Sequence, residues 1–205
     1  TQIFGNIELT FHLSEGLCLQ TRLGITKFNN NYRNYSPTDL SNISFPNGNA
    51  WVENQNTLFW QEETFLTYMN TVDKHRFNGM LGLSWQERIY RWNRGETEGF
   101  TDDFYGNNNM GVGTLPKNPS SGYSKWAMNS YFLRAAYTYD DKYSATVTGR
   151  MDGSSRFGEN NKYAFFPSAG LAWVVSNEDF FNTDVFNNLK VHTSYGITGN
   201  SEIGT

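Results

Sequence analysis

Short stretches of strict alternation between apolar and polar side chains recur along this chain, and they constrain its fold more than any other feature. In residues 6–13 every apolar side chain falls at an odd position and every polar one at an even position. Successive side chains of a β-strand point to opposite faces of a sheet, so a period of two predicts strands with one apolar and one polar face. The predicted strands are 6–13, 17–26, 58–70, 77–86, 130–139, 143–152, 166–175 and 189–197.

The connections between these strands alternate in length. Short turns and longer loops follow one another, and one connection of middling length, residues 176–188, falls on the short-turn side. This arrangement is typical of outer-membrane β-barrels, whose tilted strands cross the membrane with about ten residues. An all-β, antiparallel transmembrane β-barrel segment of about eight strands is predicted, and a soluble all-β domain is the alternative. The short turns are 14–16, 71–74 and 140–142, and the long loops are 29–56, 88–124 and 153–163.

The composition agrees with a sheet that separates the two kinds of side chain at fine scale. Aromatic residues make up 17% of the chain, although the mean hydropathy is −0.61. The formal net charge of −4 leaves no basic excess for binding nucleic acid. The chain has no run of 18 apolar residues, which excludes a membrane-spanning helix. A single cysteine excludes a disulfide framework and a cysteine-based zinc site.

In a barrel, the apolar side of each predicted strand faces lipid and the polar side faces the lumen. Val147 is then a lipid-facing residue at mid-strand, and Thr146 beside it faces the lumen. Arg134, Arg150 and His192 are also predicted to face the lumen, where they either touch a plug or solute or form the ordinary polar interior of a large barrel. The other predicted lipid-facing residues are Leu9, Phe11, Leu13, Leu19, Leu23, Leu81, Leu83, Leu133, Val191 and Ile197.

Aromatic residues in the two longest predicted loops are the candidate solute-binding residues. These loops are expected on the extracellular side. Aromatic rings stack on the apolar faces of sugars, and Asn and Asp side chains bond their hydroxyl groups, so such loops suit an oligosaccharide. The alternative is that the rings fold the loops against each other, against a plug or against a lid protein. The candidates are Trp92, Phe100 and Tyr105 in residues 88–124 and Trp51 in residues 29–56, with Trp92 the first choice.

The sequence contains no recognisable catalytic or metal-binding motif. Residues 152–156 lack the spacing of a calcium loop, and the three histidines lie on separate predicted strands. Adjacent carboxylates such as Glu62 and Glu63 point to opposite faces of a strand, so they cannot flank one glycosidic bond. We therefore expect no catalytic residue, no metal site and no cofactor.

Several blocks of the sequence, in their order and spacing, resemble one known family. The strongest is Arg150-Met151-Asp152-Gly153-Ser154-Ser155-Arg156-Phe157-Gly158. Other blocks are residues 82–87, 99–103, 131–134, 166–168 and 194–200. Together they resemble the barrel of a SusC/RagA-type TonB-dependent outer-membrane transporter, well over residues 57–205 and loosely over residues 1–56.

That resemblance implies an interior slice of a 22-stranded barrel. Residues 1–205 would be a partial outer-membrane β-barrel domain, with the amino-terminal extension, the plug and the C-terminal strands outside it. The implied function is TonB-dependent import of oligosaccharides or peptides, without enzyme activity. The implied partners are a SusD-like lipoprotein, the TonB complex reached through other parts of the protein, outer-membrane lipid and the solute. A soluble all-β carbohydrate-binding domain or a fragment of a carbohydrate-active enzyme is the alternative function.

Overall fold

Most of the described chain lies in β-strands. A computed structural model describes residues 1–40, 47–158, 162–181 and 186–199. The strands are β1 (Gln2–Ser14), β2 (Leu17–Ser36), β3 (Asn49–Val72), β4 (His75–Glu98), β5 (Leu115–Pro116), β6 (Ser120–Tyr139), β7 (Tyr143–Ser154), β8 (Tyr163–Val174) and β9 (Lys190–Gly196). Helical structure in these ranges is limited to short 3-10 turns at Thr38–Leu40, Gly106–Asn108, Met110–Val112 and Val175–Asn177.

The strands form one sheet in which neighbours in the sequence are also neighbours in space. The order is β1-β2-β3-β4-β6-β7-β8-β9, and the two-residue strand β5 pairs with β4. The all-β, antiparallel class is confirmed, and each of the eight predicted strands corresponds to one of the eight longer strands. In the described part of the chain, no helix has the length and apolar character needed to cross a membrane.

Tight turns join the strands at the three predicted places. Gly16 has a φ of 73°, and a Cβ atom there would collide with the backbone carbonyl of Met69, so the turn after β1 requires glycine. Asp73, Asp140 and Asp141 each have a φ of 52° in the turns after β3 and β6. Aspartate tolerates this left-handed conformation better than most residues because its side chain bonds nearby backbone.

The register of the last four long strands shows which side chains share a face. Val147 lies opposite Ala135 on one side and Ala169 on the other, whereas Thr146 lies opposite Ala136 and Gly170. Directly opposed residues of an antiparallel pair point to the same face. Val147 and Thr146 therefore lie on opposite faces, as predicted. The face of Val147 also carries Tyr131, Leu133, Tyr137, Tyr139, Tyr143, Met151, Phe165, Leu171, Trp173, Val191 and Tyr195.

The large apolar side chains of the sheet are exposed. Among the residues that the structure describes, the buried apolar side chains are Ala50, Phe100 and Val175, while Leu81 and Leu133 are open at the surface. Removing a Leu or Val side chain from water is worth ~1.5–3 kcal/mol. The sum over such a face requires a non-aqueous surrounding, which lipid provides for a barrel strand.

The predicted loop boundaries are wrong where the strands continue past the alternating segments. Loop 29–56 shrinks to residues 37–48, because β2 continues to Ser36 and β3 begins at Asn49. Loop 88–124 shrinks to residues 99–119, with β5 inside it. The connections 155–162 and 175–189 are close to prediction. Residues 41–46, 159–161 and 182–185 of these connections lie outside the described residues.

The chain divides into two compact units, which we call the loop unit and the turn unit. The loop unit consists of residues 1–5, 25–60 and 88–125, and the turn unit consists of residues 6–24, 61–87 and 126–205. All four aromatic candidates for solute binding belong to the loop unit, whereas Arg134, Arg150 and His192 belong to the turn unit.

Candidate functional site

Trp51 lies beneath an arginine in the loop unit. Its predicted loop position is wrong, because it lies in β3. The guanidinium carbon of Arg94 is 4.3 Å from the Trp51 ring centroid, which makes a cation–π contact. Arg94 also pairs with Glu96 at 2.7 Å and lies 3.9 Å from Glu53. The Asn49 amide donates to Glu96 Oε1 at 3.0 Å. Protein therefore occupies one face of the Trp51 ring, and two carboxylates balance the charge of Arg94.

Trp92 also lies in a strand, β4, and its predicted loop position is wrong. A Cβ atom placed on Gly122 of β6 would collide with the Trp92 indole at Nε1. Glycine is therefore what allows the half-buried ring to approach β6 so closely. Arg91, which precedes Trp92, contacts the ring of Tyr123. The guanidinium carbon is 5.4 Å from the ring centroid. The close approach of the Trp92 ring to Gly122 favours a structural role for this ring.

Phe100 lies in the loop after β4, as predicted, but its ring is enclosed. Only 4% of the residue is exposed. The ring meets Tyr35 edge-on with 5.2 Å between centroids, and the Phe100 N–H donates to the Asn47 carbonyl at 2.8 Å. A ring this buried has no open face on which a sugar can stack.

Asp103 fastens the same loop to the end of β2. Its Oδ1 accepts a hydrogen bond from the Tyr35 hydroxyl at 2.6 Å and from the Thr38 N–H at 2.9 Å, and its Oδ2 accepts from the Thr38 hydroxyl at 3.2 Å. These bonds, that from Tyr35 first, hold the pKa of Asp103 below its usual value. The carboxylate is therefore ionised at neutral pH and serves as a fixed acceptor. In the sequence, Asp103 is only the second of two adjacent aspartates, Asp102 and Asp103, in a predicted loop.

Tyr105 is presented to solvent together with its neighbour. Phe104 is 82% exposed and Tyr105 is 49% exposed. The two rings meet edge-on with 4.8 Å between centroids. Of the four aromatic residues chosen from the sequence, Tyr105 is the one that lies in a loop and has an open ring.

The three predicted lumen residues share one face of the turn unit. Arg134 lies opposite Thr148, Arg150 opposite Phe132, and His192 opposite Ala172, all on the side away from Val147. The Arg150 guanidinium pairs with Asp152 at 2.6 Å and donates to the Ser130 hydroxyl at 3.0 Å.

Arg150 thus fits the alternative of an ordinary polar interior, because its hydrogen bonds are made within the wall. Arg134 and His192 are exposed, and within the described ranges neither forms a salt bridge. No group of three or more metal-ligating side chains is found among the described residues.

A cavity of about 870 Å³, open to solvent on one side, lies in the loop unit across β1, β2, β3 and β4. Its lining residues alternate along each strand, so they belong to one face of the sheet. Ile3 and Ile25, which interleave with them, are exposed on the opposite face. The lining consists of four rings (Phe4, Phe28, Phe59, Tyr90), three amides (Gln2, Asn30, Gln55), two hydroxyls (Thr26, Thr57) and Arg88.

This cavity was missed in the sequence because its residues come from four strands far apart in the chain. A signal was present in the rings that break the alternation. Phe4 and Phe28 occur on the polar side of their strands, where a membrane barrel does not need them for contact with lipid. A ring on a polar face can stack on a solute or pack against another part of the protein.

One face of the sheet is apolar and exposed, with aromatic rings at the strand ends. The other face carries arginines and a polar cavity. These features are typical of the wall of a transmembrane β-barrel. Comparison with known proteins agrees. Residues 2–200 match the family described as TonB dependent receptor-like, beta-barrel. The chain therefore belongs to the TonB-dependent receptor β-barrel family, whose members are outer-membrane proteins.

Individual relatives are consistent with this assignment. The chain is 33% identical over 204 residues to TonB-dependent receptor P26 of Formosa agariphila. This alignment covers 97% of this chain and 21% of the relative. It is 42% identical over 76 residues to TonB-dependent receptor SusC of Bacteroides thetaiotaomicron, covering 37% of this chain and 8% of SusC. A solved structure of the RagAB peptide importer in the open-open state superposes with a TM-score of 0.89 at 25% identity, over 99% of this chain and 22% of that one.

The chain thus spans about one fifth of the length of the relatives that it matches from end to end. The chain is therefore one segment of the wall of a β-barrel.

Proposed function

We propose that the protein containing this wall is a TonB-dependent importer that carries oligosaccharides or peptides across the outer membrane. The observation that carries the proposal is the division of the strands between an apolar face and a face with arginines and a cavity of solute size. A wide barrel has such a wall, because its outside meets lipid and its inside meets water. Membership of the TonB-dependent receptor family supports the import function.

The resemblance to SusC and to a structure named as the RagAB peptide importer supports a partnership with a SusD-like lipoprotein. In this proposal, residues 1–205 are part of a 22-stranded barrel, and other segments of the protein form the plug and contact the TonB complex. The protein binds and passes its solute without breaking covalent bonds in it.

Two sets of the candidate residues chosen from the sequence are exposed, and we propose them as contact residues. Tyr105, with Phe104 beside it, offers an open ring pair to a solute or to the lipoprotein. Arg134 and His192 offer exposed polar groups on the face that we assign to the lumen. Trp51, Trp92 and Phe100 hold the wall and its loop in shape.

Uptake in whole cells tests the proposal. Cells that express the full-length protein would be given fluorescent oligosaccharides and fluorescent peptides, with TonB intact or deleted. We expect accumulation of one of the two classes to depend on both the protein and TonB, while surface binding persists without TonB. Accumulation that is unchanged when either the protein or TonB is removed would refute the importer assignment. Recovery of the protein in the soluble fraction would refute the membrane location.

A further inference from the structure

We propose that the cavity across β1–β4 binds a solute that carries a carboxylate group, with Arg88 as its charge partner. The inference rests on the proposed import function and adds to it the chemical class of the solute. It concerns a site that none of the candidates chosen from the sequence touches.

The lining of the cavity carries a positive charge. Arg88 is the only charged side chain among the residues that line it. In the part of the chain that the structure describes, Arg88 contacts the Tyr90 ring, with 5.7 Å between the guanidinium carbon and the ring centroid, and forms no salt bridge. Arg94 is different, because Glu96 and Glu53 already balance its charge. Arg88 thus leaves a net positive charge in the cavity, which attracts an anion.

The geometry of arginine narrows the class of anion. A guanidinium presents parallel N–H donors that match two oxygens of a carboxylate or of a phosphate. Of these two groups, the carboxylate is the one that a peptide carries at its C-terminus and that an oligosaccharide carries in uronic acid units. Contact with the Tyr90 ring limits the orientations of the guanidinium, so less side-chain entropy is lost when the solute binds.

The rest of the lining suits the body of such a solute. Phe4 is 73% exposed and, like Phe28, offers a ring for stacking. The Asn30 amide provides both donors and an acceptor for hydroxyl or peptide groups. The Gln55 NH2 group donates to Glu53 Oε1 at 2.6 Å, so Gln55 offers its carbonyl oxygen as an acceptor. A volume of about 870 Å³ is within the range of small-molecule sites. Two solutes share this chemistry: an oligosaccharide with uronic acid units, and a peptide with a free C-terminus.

Binding to the purified full-length protein in detergent tests the inference by calorimetry. The probes are a galacturonic acid trisaccharide against the neutral galactose trisaccharide, and a tripeptide with a free C-terminus against the same tripeptide amidated. We expect the acidic member of one pair to bind more tightly than its neutral counterpart. That preference should shrink as salt is raised, because the attraction is electrostatic.

Substitutions then assign the preference to one side chain. Arg88→Gln should lower affinity for the preferred acidic probe ~10- to 100-fold and leave the neutral probe within about twofold, as expected for loss of a charge-assisted hydrogen bond. Arg88→Lys should retain part of the preference. Arg91→Gln is the matched control, because Arg91 lies in the same strand with its side chain on the opposite face, and it should change nothing. Phe4→Ala should weaken the acidic and neutral probes alike.

The inference is overturned if neither acidic probe is preferred, or if Arg88→Gln leaves the preference intact. These outcomes differ from failure of the import function, which is measured by TonB-dependent uptake in cells. A carboxylate preference that depends on Arg88, without any uptake, would leave the site standing and refute the importer.

Discussion

Replacing Val147 with arginine should destabilise the barrel far more than the same change at Thr146 beside it. Val147 is 50% exposed on the apolar face, between Ala135 and Ala169. These alanines provide no hydrogen-bond acceptor for a guanidinium. Thr146 lies on the face that we assign to the lumen, opposite Ala136 and Gly170, whose small size leaves room for an arginine side chain.

The depth of Val147 sets the magnitude. Tyr143 and Trp173 lie opposite each other near one end of their strands and mark a membrane interface. Val147 is four residues further along β7, which is about 13 Å along a strand and about 9 Å along the membrane normal at a 45° tilt. An apolar band about 25 Å tall has its midplane about 12 Å from the interface. Val147→Arg should therefore cost ~2–3 kcal/mol, and Thr146→Arg less than ~1 kcal/mol.

The assay is reversible urea unfolding of the full-length protein in lipid vesicles. A cost of 2–3 kcal/mol lowers the folding equilibrium constant ~30- to 150-fold. Val147→Ala is the control for lost side-chain contacts without a charge, and its cost should be well below that of Val147→Arg. Equal costs for arginine at positions 146 and 147 would refute the assignment of the two faces.

Three further predictions concern sidedness, packing and pH. In intact cells an impermeant thiol reagent should label Asn108→Cys and not Asp141→Cys; the reverse pattern would invert the orientation of the wall. Gly122→Val should displace the Trp92 indole and lower the unfolding midpoint, while Gly158→Val, which has open space, should not. Hydrogen bonds from Tyr143, Trp173 and Lys142 hold the pKa of Glu178 at about 2, so the stability it contributes is complete above pH ~4.5 and is lost as the pH falls towards 2. Glu178→Gln should remove that part of the acid dependence of the unfolding midpoint, and an unchanged dependence would contradict it.

The part of the fold that was predictable from the sequence is the part that crosses lipid. Alternation of side chains appears only where the two faces of a strand meet different media. Residues 17–26 alternate, but β2 continues through an Asn-rich segment to Ser36. In that extension Asn31 bonds Asn54, and Asn54 donates to Asn93 at 3.2 Å. Both faces are polar there, so the strand continues without an alternating pattern.

The candidate site was less predictable, for two physical reasons. Aromatic residues in a polar segment look alike in the sequence, whether they are open, as Tyr105 is, or buried, as Phe100 is. The cavity depends on the register of β1–β4, which brings together residues as distant as Phe4 and Arg88. Composition and spacing indicate which residues can bind a sugar or a peptide. They do not indicate which of these residues are already in contact with other side chains of the protein.

The loop after β4 and the strands of the wall differ in how far their polar groups are already paired within the protein. Hydrogen bonds from Tyr35 and Thr38 to Asp103 and the burial of Phe100 fix the loop after β4, which leaves Phe104 and Tyr105 as its exposed ring pair. In the wall, Arg88 keeps an unbalanced charge within a cavity of solute size. If the wall selects the solute, exchanging residues 99–119 with those of a relative should leave the preference for acidic probes unchanged. Exchanging the lining residues of β1–β4 should transfer the relative's preference, because selectivity follows the unpaired charge.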